Sequence, residues 1–191
     1  MAAPAKSAVS TGKPKVAGSV HIGTASAAAP TDATTDLGTG WTALGYVGED
    51  GVTNENSPET DSKKAWGGDI VLKLQTEKPD TFTFKLISSL DLDVLKAVYG
   101  DSNVEGTLED GITVTATGDE LPEKKWCIDM VMRDNAMKRI YIPAGAISEI
   151  GEIVYKDDEE VGYELTIMAM PDSDGATHKE FIKRSASRGD K

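Results

Sequence analysis

Cysteine and histidine are nearly absent from this 191-residue chain. One cysteine, Cys127, cannot form an internal disulfide, and a single thiol with two histidines cannot by themselves complete a zinc site. Long apolar runs are missing as well, since no stretch reaches the roughly 18 residues that a membrane helix needs. Residues 1–15 lack the apolar core of a secretory signal. The sequence therefore predicts a protein of a reducing compartment that neither spans a membrane nor follows that secretory route.

The residues that carry enzyme chemistry are few and scattered. A nucleophilic triad requires a histidine beside a serine or cysteine, but His21 lies in a low-complexity N-terminal segment and His178 lies near the C-terminus. Cys127 lies in a predicted strand, on the face opposite to that of its apolar neighbours Trp126 and Ile128, which is typical of a small packing residue. No glycine-rich phosphate loop occurs. We therefore expect no catalytic activity, no cofactor and no metal ion.

Acidic residues dominate the charge. The chain has 32 Asp and Glu against 20 Lys and Arg, a net charge of −12. The excess lies in residues 41–176, which carry −16, whereas residues 1–40 carry +1 and residues 177–191 carry +3. A chain with this balance repels phosphates, so we do not expect it to bind DNA or RNA by neutralising the backbone.

Composition divides the chain into three segments. Residues 1–40 are mostly Ala, Ser, Thr, Gly and Pro, with too few large apolar side chains to offset the entropy of ordering them. They are predicted to form an extended arm held by contacts outside its own fold. Residues 41–176 have the size of one β domain, and residues 177–191 are predicted to form a basic C-terminal tail.

Period-two alternation predicts β-strands with one buried face from Trp41 onward. The clearest segments are 69–75, 81–86, 111–117, 125–132 and 163–170, and shorter candidates occur at Tyr46, 52–55, 138–142 and 147–155. The side chains expected to face the core are Ile70, Leu72 and Leu74; Phe82, Phe84 and Leu86; Ile112, Val114 and Ala116; Trp126, Ile128, Met130 and Met132; and Tyr163, Leu165, Ile167 and Ala169.

One segment has helical spacing. In SSLDLDVLKAVYG, Leu92, Leu95 and Val98 or Tyr99 share a face, cap residues lie between Ser88 and Asp91, and Gly100 ends the segment. A helix of about three turns is predicted, packed on the outside of the β domain. The expected fold is mainly β (α+β): an antiparallel β-sandwich or split, partly open barrel with one flanking α-helix and an extended arm.

A soluble calcium- or carbohydrate-binding β-sandwich module is the alternative that the residues leave open. The run PDSDG at 171–175 resembles the start of a calcium loop, although a β-turn fits it better because no closing glutamate follows. Three tryptophans, Trp41, Trp66 and Trp126, could form a sugar platform, but Trp66 and Trp126 are predicted to fill the core or an interface between protomers. The acidic run 157–160 is predicted to be a solvated hairpin loop.

A succession of short motifs runs through residues 45–182. It comprises Gly45, Tyr46, Val47, Asp50, Gly51 and Val52; Ala65 and Trp66; Thr81, Phe82 and Phe84; Val94, Leu95, Tyr99 and Gly100; Trp126 and Asp129; Arg139, Ile140 and Pro143; and Asp172 and Gly175. In this order the motifs resemble those of the major tail tube proteins of long-tailed, non-contractile (siphovirus) bacteriophages. Ser89 departs from the family pattern, which has Asn ahead of the helix, and the arm is longer than expected.

The resemblance implies a structural virion protein that is made in the host cytoplasm and assembles with itself. Six copies would form a ring, and stacked rings would form the phage tail tube through which DNA passes without specific binding. A tape-measure protein and tail-end proteins are the further partners that the family implies. Related tubes occur in contractile tails and bacterial secretion systems, so a sheathed tail stays open.

Two groups of residues are candidates for the functions of such a tube. Acidic side chains opposite the apolar parity of predicted strands are expected to line the lumen, where they would repel phosphates; they are Glu55, Asp69, Glu152 and Glu164. The family uses a polar loop and terminal arms to hold the next ring. The candidate loop here consists of Asn54, Glu55, Asn56, Ser57, Pro58, Glu59, Thr60, Asp61, Ser62, Lys63 and Lys64.

Overall fold

The computed structural model describes residues 9–15 and 18–184. Residues 1–8 and 16–17 of the predicted arm and 185–191 of the predicted tail lie outside these described residues. The strands are β1 (Lys13–Pro14), β2 (Val20–Gly23), β3 (Trp41–Ala43), β4 (Val47–Glu55), β5 (Glu59–Lys64), β6 (Ile70–Glu77), β7 (Thr81–Leu86), β8 (Val104–Thr107), β9 (Gly111–Val114), β10 (Lys124–Val131), β11 (Ala136–Ile150), β12 (Tyr163–Met170) and β13 (Lys179–Arg184). The helix α1 spans Leu92–Tyr99.

Nine strands form one antiparallel sheet in the order β3-β2-β10-β11-β12-β7-β4, with β1 added to β10 and β13 added to β11. The strand β11 is 15 residues long and has two sets of neighbours. Its first part pairs with β10 and β13, and its last part pairs with β12. Two further hairpins, β5–β6 and β8–β9, each form a separate two-stranded sheet.

The main sheet bends over itself. Phe84 of β7 and Trp126 of β10 have ring centroids 6.0 Å apart, although β11 and β12 lie between their strands in the sheet. In a flat sheet three strand spacings would separate them by about 14 Å. The two ends of the sheet therefore face each other across one core, which confirms the predicted β-sandwich.

Alternation correctly predicts the strands that build this core. Every second residue of β7 and β12 is buried, as expected. The inner faces of β10 and β11 add Trp126, Ile128, Ile140 and Ile142 to the same cluster. Other predicted strands are shorter: β9 ends at Val114, Val114 and Ala116 are exposed, and residues 151–155 after β11 form no strand. These segments contribute little because they lie at the margins of the core.

The helix α1 is confirmed but is shorter than predicted. It has eight residues, about two turns. Asp91 caps it by accepting a hydrogen bond from the amide of Asp93, and Gly100 ends it with φ at 98°. Val94, Leu95 and Val98 are buried in the main core, so the helix contributes to the core directly. No helix among the described residues is long and apolar enough to cross a membrane.

Part of the predicted arm belongs to the sheet. β1 and β2 both pair with β10, and Val20 of β2 is fully buried. The composition of the arm conceals these strands because they are only two and four residues long. β10 is buried on both faces, with Cys127 and Asp129 inaccessible as well as Trp126.

A buried ion pair joins the arm to the sheet. Asp129 of β10 and Arg139 of β11 lie opposite each other and are each 1% exposed. The guanidinium donates from Nε and Nη2 to the two carboxylate oxygens at 2.6 and 2.7 Å. Its Nη1 donates to the backbone carbonyls of Asp32 and Thr35. Hydrogen bonding to Asp129 raises the pKa of Arg139, so the guanidinium stays charged.

We predict that Arg139→Met lowers the free energy of unfolding by about 3 kcal/mol, because it leaves the Asp129 carboxylate buried without its main partner. Urea denaturation of the monomer measures the change. The double variant Asp129→Leu/Arg139→Met removes both charges and should recover part of the loss. The control Lys156→Met breaks an exposed pair with Glu159 and should have little effect. Equal losses in Arg139→Met and the control would contradict the prediction.

Candidate functional site

The strand β6 of the hairpin β5–β6 carries an exposed apolar row, and the cross-strand partners of that row on β5 are the charged residues Asp61, Lys63 and Lys64. The two strands of the hairpin pair with each other and with no strand of the main sheet. Ile70, Leu72 and Leu74 alternate along one face of β6 and are 63%, 48% and 45% exposed. The prediction that these residues face the core of the domain is therefore wrong, because no element of residues 9–15 and 18–184 covers the stripe. We call Ile70, Leu72 and Leu74 the apolar stripe.

The tip of the hairpin is a tight turn. The amide of Ala65 donates to the carbonyl of Asp69, and the amide of Gly68 donates to that of Ala65. Gly68 has a φ of 92°, which favours glycine at this point. Trp66 lies in the turn and is fully exposed, so it fills no core of this chain. The tip thus adds a large aromatic surface beside the apolar stripe.

The candidate loop of residues 54–64 is mostly strand. Asn54 and Glu55 end β4, Asn56–Pro58 is the only irregular part, and Glu59–Lys64 is β5. Polar composition concealed β5 because both faces of the hairpin are exposed and no apolar alternation is needed in that strand. The role of these residues in holding a next ring stays a prediction.

Two of the four acidic candidates lie on one face of the main sheet. Glu55 of β4 lies opposite Thr81 of β7, and Glu164 of β12 lies opposite Lys85. The residues of β7 and β12 that alternate with these positions point into the core, so this surface is the opposite side of the sheet. We call it the outer sheet face. It consists of Thr53, Glu55, Thr81, Thr83, Lys85, Glu164, Thr166 and Met168. Lys85 contacts Glu160 at 3.3 Å, which offsets its charge.

The other two candidates lie elsewhere. Asp69 is in the turn of the hairpin, so the strand parity that suggested it does not apply. Glu152 is exposed in the connection between β11 and β12. Sequence analysis missed Asp50, which lies beside Glu164 and Lys85 in a shallow cavity, and Glu149, which a bulge after Ile147 places opposite Thr166. In a regular strand Glu149 would share the core side of Ile147, so alternation could not find it.

Features that suggested other chemistry have structural explanations. Asp172 accepts hydrogen bonds from the amides of Asp174 and Ala176, as expected for a β-turn, and the amide of Ala176 lowers the pKa of its carboxyl. Burial raises the pKa of Cys127 to about 12, which makes the thiol unreactive. No group of three potential metal-ligating side chains occurs in residues 9–15 and 18–184. Trp126 is buried, so the tryptophans form no common platform.

The comparisons with known proteins agree with the motif order. The family described as phage tail tube protein matches residues 8–189 of the chain. No curated protein matches it. The family match covers nearly the whole sequence, including the arm strands β1 and β2 and the hairpin β5–β6. The chain therefore belongs to the phage tail tube protein family, and its role is that of a structural component of a phage tail.

Proposed function

We propose that six copies of the chain form a ring, that rings stack into the tail tube of a siphovirus, and that the tube is a conduit for genome delivery with no catalytic role. The observation that carries this proposal is the exposed apolar stripe on β6. Exposed aliphatic rows of this kind are unfavourable in a monomer and mark a surface that a partner covers.

The edges of the main sheet support the formation of rings. β3 and β4 end the sheet, so each has one edge without a partner strand in the described chain. Open edges promote pairing between chains. When the same two surfaces of successive copies meet head to tail, the copies form a closed ring if the rotation between neighbours divides a full turn. We propose that side-by-side contacts at these edges build the ring.

The hairpin supports stacking of one ring on the next. Complete burial of one aliphatic side chain stabilises a contact by about 1.5–3 kcal/mol. The apolar stripe has three such side chains, about half exposed in the monomer, and Trp66 lies at the tip. We propose that the stripe packs against a copy in the adjacent ring and that residues 54–64 form the root and first strand of this contact.

The outer sheet face supports an acidic lumen. Glu55 and Glu164 project from it, with Asp50 and Glu149 at its margins. Repeated around a ring, these carboxylates would keep phosphates away from the wall at every azimuth. We propose that DNA passes along this face without binding. Asp69 and Glu152 stay candidates for the same role but lie outside this face.

The proposed tube also implies which partners the chain has and where it is located. A tube of identical rings has no intrinsic length, so a tape-measure protein in the lumen and tail-end proteins at both ends complete the proposal. The chain would be made in the host cytoplasm and end in the virion. No observation favours the calcium- or carbohydrate-binding module over this function.

The first experiment is negative-stain electron microscopy of the purified chain over a concentration series, with size-exclusion chromatography of the same samples. We expect sixfold rings and hollow tubes with a channel wide enough for duplex DNA. A chain that stays monomeric at every concentration, and does not join tubes when added to isolated tail ends, would contradict the proposal. Calcium-dependent dimers without a channel would favour the binding module.

We predict that Leu72→Lys abolishes tube formation, because it places a charge in the apolar stripe. The matched control is Gln75→Lys, which adds the same charge on the opposite face of β6. Sedimentation and microscopy measure the tubes. Both variants should melt within about 2 °C of the wild-type monomer, since neither residue is buried in it. Tubes of normal yield from Leu72→Lys would exclude the stripe as the stacking contact.

We predict that Glu55→Lys/Glu164→Lys tubes retain duplex DNA that wild-type tubes release. The control Glu109→Lys/Glu120→Lys makes the same charge change at exposed positions outside the outer sheet face. Fluorescence anisotropy of labelled duplex against salt concentration measures retention, which should fall steeply as salt rises. Equal retention by both variants would show that Glu55 and Glu164 do not line the channel.

A further inference from the structure

A buried carboxylate lies at the base of the hairpin. Asp80 is 1% exposed and directly precedes β7. Its Oδ1 accepts a hydrogen bond from Asn54 Nδ2 at 2.8 Å, and its Oδ2 accepts from Thr177 Oγ1 and His178 Nδ1. The backbone carbonyl of Asp80 accepts a hydrogen bond from the backbone amide of Ala169 in β12. Burial alone would raise the pKa of Asp80, but the three side-chain hydrogen bonds outweigh it and lower the pKa, so the group is charged.

These contacts reinforce the junction of the two roots of the hairpin, which are the paired ends of β4 and β7, with Glu55 opposite Thr81. The first root leaves β4 after Glu55, and the second enters β7 after Asp80. The amide of Asn54 bridges the roots, since it donates to Asp80 Oδ1 and also to the carbonyl of Thr81 at 3.0 Å. Because the hairpin pairs with no strand of the main sheet, its direction depends on how these roots are held.

The same carboxylate is held from the C-terminal side of the chain. Thr177 and His178 lie between the Asp172–Ala176 turn and β13, which pairs with β11. The His178 ring also packs edge-on against Phe82 of the core, with centroids 5.3 Å apart. The position of the C-terminal strand is therefore coupled to the base of the hairpin through Asp80.

We propose that Asn54, Asp80, Thr177 and His178 form a clasp that positions the β5–β6 hairpin for stacking. This inference rests on the proposed function of the hairpin. The clasp fixes the angle at which the apolar stripe leaves the body, so that the stripe reaches the adjacent ring already oriented. Ordering the hairpin before contact removes an entropy cost from every stacking step.

Removal of one hydroxyl tests the clasp. Thr177→Val keeps the shape of the side chain and removes one donor to Asp80, whereas Thr177→Ser keeps the donor. The control Thr107→Val removes a similar threonine–aspartate bond, to Asp110, in the separate β8–β9 hairpin. We expect Thr177→Val to raise the concentration for half-maximal tube formation about tenfold, which corresponds to about 1.4 kcal/mol. Thr177→Ser and Thr107→Val should assemble like the wild type.

The direction of the hairpin is measured in the monomer. Spin labels on Lys64→Cys in the hairpin and Ser102→Cys in the body report the distance between them, because buried Cys127 does not react. The clasp predicts a narrow distribution in the wild-type background and a broad one with Thr177→Val. Asn54→Ala removes the amide donor to Asp80 Oδ1 from an exposed position and should broaden the distribution as well.

The outcomes separate the two proposals. If Thr177→Val lowers the melting temperature but leaves the distance distribution and the assembly concentration unchanged, the cluster only stabilises the fold and the clasp is wrong. If the distribution broadens and assembly is unchanged, the direction of the hairpin does not govern stacking and the clasp is again wrong. If the wild-type chain forms no tubes under any condition, the proposed function itself fails.

Discussion

The contact between Arg139 and Asp129 determines how the N-terminal segment and the sheet become one body. Two charges removed from water are stable only when nearly every donor and acceptor has a partner. The guanidinium of Arg139 meets this condition because it donates hydrogen bonds to both carboxylate oxygens of Asp129 and to the backbone carbonyls of Asp32 and Thr35. The chain between β2 and β3 is thereby held over the outer side of β10 and β11. Cys127 is buried by the same arrangement, which explains a thiol without reactivity in the middle of the sheet.

The segment between β2 and β3 covers the outer side of β10 and β11, and the core fills the inner side of the sheet. The surfaces that stay exposed are therefore those available for assembly. They have different physical character: the outer sheet face is acidic and rich in threonine, and the hairpin has an apolar row on β6. An acidic wall repels a polyanion, while an apolar stripe favours contact with protein. This division within one chain suits the proposed conduit, and the proposed clasp at Asp80 would keep the two surfaces in a fixed relation.

The sequence predicted the parts of the structure that follow local rules. Alternation located β7, β10 and β12, and the Asp91 cap and Gly100 located the helix. Trp126, Asp129 and Arg139 belong to the succession of motifs in the sequence, and the structure gives their roles as the core tryptophan and the buried ion pair. The alternation of apolar residues in β6 does not reveal that its apolar stripe is uncovered. The same pattern occurs whether the covering layer belongs to this chain or to another copy. Bulges and short strands, as at Glu149 and in β2, leave no periodic signal.

The most direct test of the central claim, that the apolar stripe is a contact between copies, is a cryo-electron microscopy reconstruction of wild-type tubes that shows side chains. We predict that Ile70, Leu72 and Leu74 are buried against a subunit of the adjacent ring and that the outer sheet face lines the channel. Tubes in which the β5–β6 hairpin points into solvent, with rings held by other surfaces, would contradict this claim.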